Sequence, residues 1–487
     1  MDDVKRIVVV GGGITGLSAA YAALGRAREL GIRVSITVIE RAVRFGGNLV
    51  TERVDGFLVD AGADSWVASK PDATALAREL GLGGSLIGTN EKTRRFFIAH
   101  AGRLHPVPEG LVLGVPTRLA PLARTGLFSW RGKARMALEP FVPVRRYGPG
   151  DDESIASFAT RRLGEEAAER LVAPLLGGIS GGEAADLSVR AAFPQLVAME
   201  QEHGSLVQGM RAARRRRPAT ARDSSAFLSL EGGVSGLVEA LRERLEVEGC
   251  TLRAGARVRA LGRAPGGWVV DVEEGGRLEA DGLLLAIPAH AAAPLMTFVD
   301  DELSRALGRI RYGSTATVFL AYPRSQVRHP LDGVGFVVPR TLGRPILAGT
   351  WVSSKWAGRA PEGSVLLRAF VGGVAGEPAL AGDDAALVAL ARQELGGWMG
   401  IAAEPLWSRV FRFDRASAQM RVGHLEAMRA LHARLATVAP GLRIAGGGYD
   451  GVGIPDCIRQ GREAGRALAE ECAQPRRGVV ALAPPLG

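Results

Sequence analysis

Lys5-Arg6-Ile7-Val8-Val9-Val10-Gly11-Gly12-Gly13-Ile14-Thr15-Gly16-Leu17-Ser18-Ala19-Ala20-Tyr21-Ala22 is the stretch that decides the fold. A β-branched run stops at glycines, and small and apolar residues then recur at helical spacing. The stretch reads as strand, tight turn and helix. Gly11, Gly13 and Gly16 supply Gly-x-Gly-x-x-Gly. The first glycine lets the chain turn sharply, the second lets backbone approach a diphosphate, and the third lets the helix pack on the strand. The helix then opens at Ile14 and Thr15 with free N–H groups and the positive end of its dipole aimed at the phosphates.

Working outward, a second strand at Val34–Ile39 ends in Glu40, 24 residues past Gly16. That is close to the spacing of an acid that binds a ribose hydroxyl, and an acid there argues against a 2′-phosphate. Arg41-Ala42-Val43-Arg44-Phe45-Gly46-Gly47 adds a second glycine turn, placed to approach the same diphosphate. Residues 56–66 read as a strand ending at Gly62, Ala63, Asp64 and Ser65, where the chain would pass the cofactor. Near the other terminus, Leu442-Arg-Ile-Ala-Gly446-Gly447-Gly448-Tyr449-Asp450-Gly451-Val452-Gly453-Ile454-Pro455-Asp456 is again strand, glycine turn and helix start. FAD is the expected cofactor. The second helix N-terminus would favour an anionic reduced flavin at its N1–C2=O edge.

The chain has 487 residues, enough for several domains. Its net charge is +10, and only five of its 61 basic residues are lysine. That skew points to base composition, and no nucleic-acid-binding motif accompanies it. Such a surface can still attract anionic substrates or an anionic membrane face. Cys250, Cys457 and Cys472 lack metal-ligand spacing and cannot all pair, which suits a cytoplasmic location and no metal. The uncharged runs 7–25 and 282–299 read as cofactor turn and buried strand, so no transmembrane helix is expected.

The fold class expected is α/β: a discontinuous Rossmann-like FAD domain, a mixed-sheet substrate domain and a helical insertion. The FAD part takes residues 1–90, 206–295 and 424–473, the helical part 91–205, and the substrate sheet 296–423. Residues 474–487 read as a loose tail and 211–222 as a solvated arginine-rich loop. Helices are expected at 71–82, 237–248, 383–399 and 456–471, a hairpin at 96–107, and one strand over 251–261. Apolar helical segments are expected at 111–115, 121–124, 127–130 and 136–138. Arg118, Arg124, Arg131, Lys133 and Arg135 lie among them. Two readings stand for this region: an insertion with snorkelling cations, or a face that meets a membrane or lines an anionic-substrate channel.

With these residues in hand, the chain resembles the oxygen-dependent porphyrinogen oxidases of haem synthesis, within the amine-oxidase-like flavoproteins. The motifs are Gly62-Ala-Asp-Ser65, Leu104-His-Pro-Val-Pro108, Ala173-Pro-Leu-Leu-Gly-Gly-Ile179, Leu366-Leu-Arg-Ala-Phe-Val-Gly-Gly373 and Gly451-Val-Gly-Ile-Pro-Asp-Cys-Ile458. Thr125-Gly-Leu-Phe-Ser129 and Gly132-Lys-Ala-Arg135 look most like the Bacillus-type branch, which resembles coproporphyrinogen III oxidases more than protoporphyrinogen oxidases.

The resemblance implies FAD held by Gly11, Gly13, Ile14, Thr15, Gly16, Glu40, Arg41, Arg44, Gly46, Gly47, Gly62, Ala63, Asp64, Ser65, Val258, Gly447, Val452, Gly453 and Ile454. It implies a porphyrinogen substrate met by Arg95 at a propionate, by Phe370 on the macrocycle, by Val337 and Trp351 as apolar walls, and by Lys70 and Asp64. Trp351 departs from a leucine of the plant pattern, and Asp64 replaces an asparagine. Read from the residues alone, Arg95 also fits a surface ion pair, and Phe370 and Trp351 fit ordinary core.

The implied reaction takes six electrons from coproporphyrinogen III, three O2 becoming three H2O2, with the chemistry at the flavin and no obligate acid or base. Peripheral membrane contact and contact with other haem-pathway enzymes accompany that expectation. Protoporphyrinogen IX is the runner-up substrate. An amine oxidase would need an aromatic cage that the sequence does not reveal, a carotenoid desaturase would lack the porphyrinogen motifs, and a non-catalytic porphyrin carrier would lack a flavin spectrum.

Overall fold

Lys5–Val10 is the middle strand of a five-stranded parallel sheet ordered Thr251–Arg253, Val34–Ile39, Lys5–Val10, Gly282–Leu285 and Leu442–Ile444. Both faces of its centre are covered, so the inner strands are near-continuous apolar runs; Leu283, Leu284 and Leu285 are fully buried. The computed structural model describes residues 4–93, 95–178, 181–216 and 225–474. Ile179, half of the expected arginine-rich loop and nearly all of the expected tail lie outside them, while residues 211–216, expected in that loop, complete helix Leu206–Arg216.

Sheet and helices join the two ends of the chain. Helix Ile14–Glu29 packs lengthwise on Ile454–Ala473. The approach is close because the later helix presents glycines. A Cβ on Gly461 would stand 2.2 Å from the Thr15 carbonyl oxygen, and one on Gly465 would stand 2.1 Å from that of Ala19.

The second large element is a seven-stranded sheet ordered Trp407–Ala418, Tyr312–Pro323, Ser364–Gly372, Ile346–Trp351, Gly333–Val337, Arg95–His100 and Arg103–Pro106. The last two strands form the expected hairpin, turned by Ala101 and Gly102, both at positive φ. Trp407–Ala418, one of the two longest strands, has no counterpart in the sequence reading. Its charges at Arg409, Arg412, Asp414 and Arg415 obscure the alternation. Helix Asp384–Met399 covers one face through Leu387, Ala391 and Leu395.

Several local expectations need correction. Of residues 127–130, expected helical, only Trp130 lies in a helix, which Ser129 caps. Residues 251–261 are not one strand. Thr251–Arg253 ends the parallel sheet, and Val258–Ala264 starts a separate antiparallel ladder with Gly267–Val272. Gly255, at φ 70°, lies in the break, and Gly is the residue that takes such a φ without strain. Leu111–Val112 and Val115–Pro116 form a two-stranded ladder, not a helix. Leu113 and Gly114, both at positive φ, make the two-residue turn that such a hairpin requires.

The helical layer runs from Leu119–Arg124 to Leu206–Arg216. Ser129, Ser154 and Ser188 each accept a backbone N–H at a helix start. The layer is cross-linked inside by ion pairs. Arg162, fully buried, meets Glu139 and Glu200, and Arg161 meets Glu153 and Glu200. Glu139 also caps Leu206–Arg216, accepting from the N–H groups of Leu206 and Val207. Among the described residues no helix is long and apolar enough to cross a membrane.

Candidate active site

The glycine turn fits a dinucleotide. Gly16 cannot be larger, since a Cβ there would meet the Gly11 carbonyl oxygen at 1.9 Å, and a Cβ on Gly11 would meet that of Ala286 at 2.3 Å. Gly13 is different: a Cβ there would meet nothing within 4 Å, so open space lies in front of it. Gly13 is also the N-cap of Ile14–Glu29 and offers no side-chain cap. No side chain therefore caps the first N–H groups of that helix, at Ile14 and Thr15 among others, which is the arrangement that suits an anion.

Glu40 stands at the tip of the second strand. Its carboxylate accepts from the N–H of Gly12 and from that of Ala42, both at 2.8 Å. Gly46 donates its N–H to the Gly12 carbonyl at 2.8 Å, and Arg44 donates to the Gly47 carbonyl at 2.7 Å. Both turns are thus tied together around one opening. Beside it lies a cleft of about 440 Å³ lined by Arg41, Arg44, Asn48, His290, Phe413 and Arg415 among others. Burial, then Arg415 and Arg41, hold His290 below the usual imidazole range, so its ring is neutral at pH 7. Val258, also assigned to the cofactor, packs in the core behind the parallel sheet.

The last glycine turn is braced from behind. Tyr312, at the start of its sheet strand, donates to the Gly447 carbonyl at 2.9 Å and accepts from the Ala289 N–H at 3.1 Å. Burial pushes its phenol up to about 12. Tyr449 donates to the Ile287 carbonyl, and His424 meets the Tyr449 carbonyl. Val452 is exposed ahead of the helix that Gly453 opens and Ile454 begins. Asp456 accepts from the Gly453 N–H at 3.1 Å and from Lys70 at 2.7 Å. Asp456 complements the positive end of the dipole at this helix start, and Lys70 partly offsets its charge.

Above the turn at 62–65 lies one face of the seven-stranded sheet. A single rung crosses it: Ile98 pairs with Val337, Val337 with Ala348, Ala348 with Phe370, and Phe370 with Thr317. Thr317 donates to the Ala61 carbonyl at 2.7 Å, fixing this face over the turn. Gly62 runs between Asn48 and Phe413, and a Cβ there would stand 2.5 Å from the Asn48 carbonyl oxygen. Ala63 is exposed beside it.

The substrate residues expected from the sequence do not all meet here. Val337 and Phe370 share the rung. Trp351 pairs with Leu367 and packs with Phe97 and His329 under helix Asp384–Met399, on the opposite face. Strand alternation puts it in the core, not on the cleft wall. Arg95 is exposed and paired with Asp332 at 2.9 Å.

Asp64 is buried and turned toward the sheet. Lys355 meets it at 2.9 and 3.0 Å, Arg368 at 2.9 Å, and the Trp356 indole N–H at 3.2 Å, while Ser65 donates at 2.7 Å. Burial alone would raise Asp64; Lys355 and Arg368 outweigh it and hold the carboxyl far below its usual range. Lys355 itself is pushed down by burial, against the pull of Asp64. Asp60 pairs with buried Arg359 at 3.1 Å, and burial lifts it above the usual carboxylate range. Lys355, Arg359 and Arg368 were not singled out from sequence. Arg368 had a signal, a lone charge within an apolar strand; Lys355 had none, since it reaches Asp64 from 291 positions away.

Comparison with known proteins agrees with this geometry. The family of flavin-containing amine oxidoreductases matches residues 14–469. Coproporphyrinogen III oxidase of Bacillus subtilis is 35% identical over 466 residues, 95% of this chain and 97% of that protein. The Staphylococcus aureus enzyme of the same name is 31% identical, over 96% and 99% of the two chains. A crystal structure of an Exiguobacterium protein is 35% identical with TM-score 0.85, covering 97% of this chain and 100% of that one. Cyclohexylamine oxidase of Brevibacterium oxydans, at 17% identity and TM-score 0.68, shares the fold. The chain belongs to the flavin-containing amine oxidoreductases.

Proposed function

We propose that this chain oxidises coproporphyrinogen III to coproporphyrin III, with FAD as cofactor and O2 as the terminal acceptor. The observation that carries the reading is likeness over nearly the whole chain to relatives bearing that enzyme's name. The site supports it, because an apolar sheet face stands over a cofactor turn and cations are placed around it. When bound, the flavin supplies hydride acceptance from a saturated carbon and electron transfer to oxygen. Six electrons leave the porphyrinogen in three steps, and three O2 become three H2O2.

The chain's own work is binding and placement. Gly11, Gly13, Gly16 and the N–H groups that follow hold the diphosphate, Glu40 the adenosine ribose, and the turns at 62–65 and 451–454 the ring. Phe370, Ala348 and the edge of Val337 give the macrocycle an apolar surface and exclude water, with fully buried Ile98 backing the rung. Arg95 shares the face of Phe97, so a rim carboxylate reaches it around the start of the strand, in exchange for Asp332. Lys70 sits near enough to the second helix start to serve either cofactor or substrate. No side chain has to act as acid or base.

Rates on coproporphyrinogen III and protoporphyrinogen IX, followed by product fluorescence, test the reading. The four-carboxylate substrate is expected to be oxidised faster; a preference for the two-carboxylate substrate would reassign the enzyme. A second reading concerns location. Trp130 and Phe141, 74% and 81% exposed, lie with Leu119 and Leu138 among exposed Arg118, Arg124 and Arg131. That composition supports an anionic lipid surface as the resting place of the helical layer.

A further inference from the structure

Alternate residues of Ser364–Gly372 face opposite ways. Val365, Leu367, Ala369 and Val371 pack in the core with helix Asp384–Met399. Arg368 and Phe370 face the other way, toward the turn at 60–64. A guanidinium 3% exposed on a central strand is costly unless it is fully engaged. Arg368 is engaged on two sides through its terminal nitrogens, its buried Nε–H alone finding no partner among the described residues. Its fork donates to Asp64 at 2.9 Å, to the Asp60 carbonyl at 3.2 Å and to the Gly62 carbonyl at 3.1 Å. Its carbon centre lies 4.4 Å from the middle of the Phe370 ring. One rigid planar group therefore has an edge on the turn at 60–64 and stands against the ring above it. Lys355 and Trp356 take the remaining reach of Asp64, so the carboxylate cannot swing away.

We propose that Arg368 is a positioning residue for the oxidation, setting the spacing between the turn at 62–64 and the Phe370 ring. The inference rests on the reading that the turn faces the flavin and that Phe370 carries the macrocycle. Three donors in fixed directions are what the arrangement uses, and a lysine cannot reproduce them. A lysine would keep the charge and lose the geometry. Errors of about 1 Å between reacting groups cost on the order of a hundredfold in rate.

The test uses flavin-loaded Arg368→Lys and Asp64→Asn holoenzymes. Each is expected to lose about tenfold or more in kcat with KM within about threefold of the parent. The flavin absorption envelope and reduction potential should shift at unchanged flavin content. Parental kcat and potential in a loaded Arg368→Lys enzyme would overturn the proposal, as would a kcat loss that only tracks lost flavin. If Arg368→Lys does not fold, Asp64→Asn decides by the same criteria. Phe370→Leu in the parent tests the underlying reading separately, since it should raise KM. An unchanged KM there rejects the macrocycle contact, while the flavin spectra of the other two variants still judge the hold on the turn.

Discussion

At the scale of the residue, Arg95 separates two kinds of charge. Its pair with Asp332 is exposed on both sides, and such pairs contribute about 0–1 kcal/mol. Arg95→Ala should therefore leave thermal stability and flavin content close to the parent. If the guanidinium meets a substrate carboxylate, the same change should raise KM about tenfold, the size of one charge-assisted hydrogen bond. Steady-state kinetics with flavin quantitation checks both halves, and an unchanged KM would return Arg95 to the surface. What sequence reveals at this scale depends on how local the cause is. Gly11, Gly13, Gly16 and Glu40 stand out because a strand, a turn and a helix start within one short segment require them. Trp351 misleads because its face is set by pairing with Leu367, which no local pattern discloses. Lys355 stays hidden because its partner Asp64 is distant in the chain.

At the scale of the element, the contact between Ile14–Glu29 and Ile454–Ala473 is set by glycine. A Cβ on Gly461 would press on the Thr15 backbone at 2.2 Å, where no flexible side chain can yield. Gly461→Ala should destabilise by about 1–3 kcal/mol, as overpacking does. Because Thr15 follows the diphosphate turn, flavin retention should fall with it. Gly25 in the first helix meets nothing within 4 Å. Gly25→Ala should stabilise by about 0.5–1 kcal/mol through helix propensity and the unfolded chain. Chemical denaturation of the pair checks the contrast; equal effects would deny that the helices are locked there.

The helical layer has its own test. Burial would raise Glu153, but hydrogen bonds from Arg161, Tyr147 and Ser157 outweigh it and hold the carboxyl below its usual range. A depressed folded value contributes stability that is present above the unfolded value, roughly pH 4.3, and is lost as pH falls through the folded one. Glu153→Gln should lower stability near pH 7 by about 2 kcal/mol, and the difference should shrink on acidification. Melting curves from pH 7 down to about pH 3 test this; a difference that grows in acid reverses the sign and rejects the assignment.

At the scale of the molecule, the parallel sheet closes only when strands from both ends of the chain meet. That discontinuity was legible because two glycine turns, far apart in sequence, ask for the same ligand. The seven-stranded sheet was less so, since its edge strand Trp407–Ala418 alternates polar residues with half-buried ones. The surface adds a consequence of the whole. A chain of net charge +10 approaches an anionic bilayer favourably, and exposed Trp130 and Phe141 offer apolar side chains once it arrives. Lys133 lies 4.3 Å from the centre of the Trp130 ring, so charge and ring can reach a headgroup together. The protein should co-sediment with vesicles rich in phosphatidylglycerol and not with phosphatidylcholine alone. Added salt should weaken the attraction, because only the electrostatic part is screened. Trp130→Ser with Phe141→Ser should release it at low salt while leaving kcat on soluble substrate unchanged. Equal sedimentation of parent and double variant would show that these side chains do not meet lipid, and failure of the parent to bind would leave the layer as an insertion with snorkelling cations.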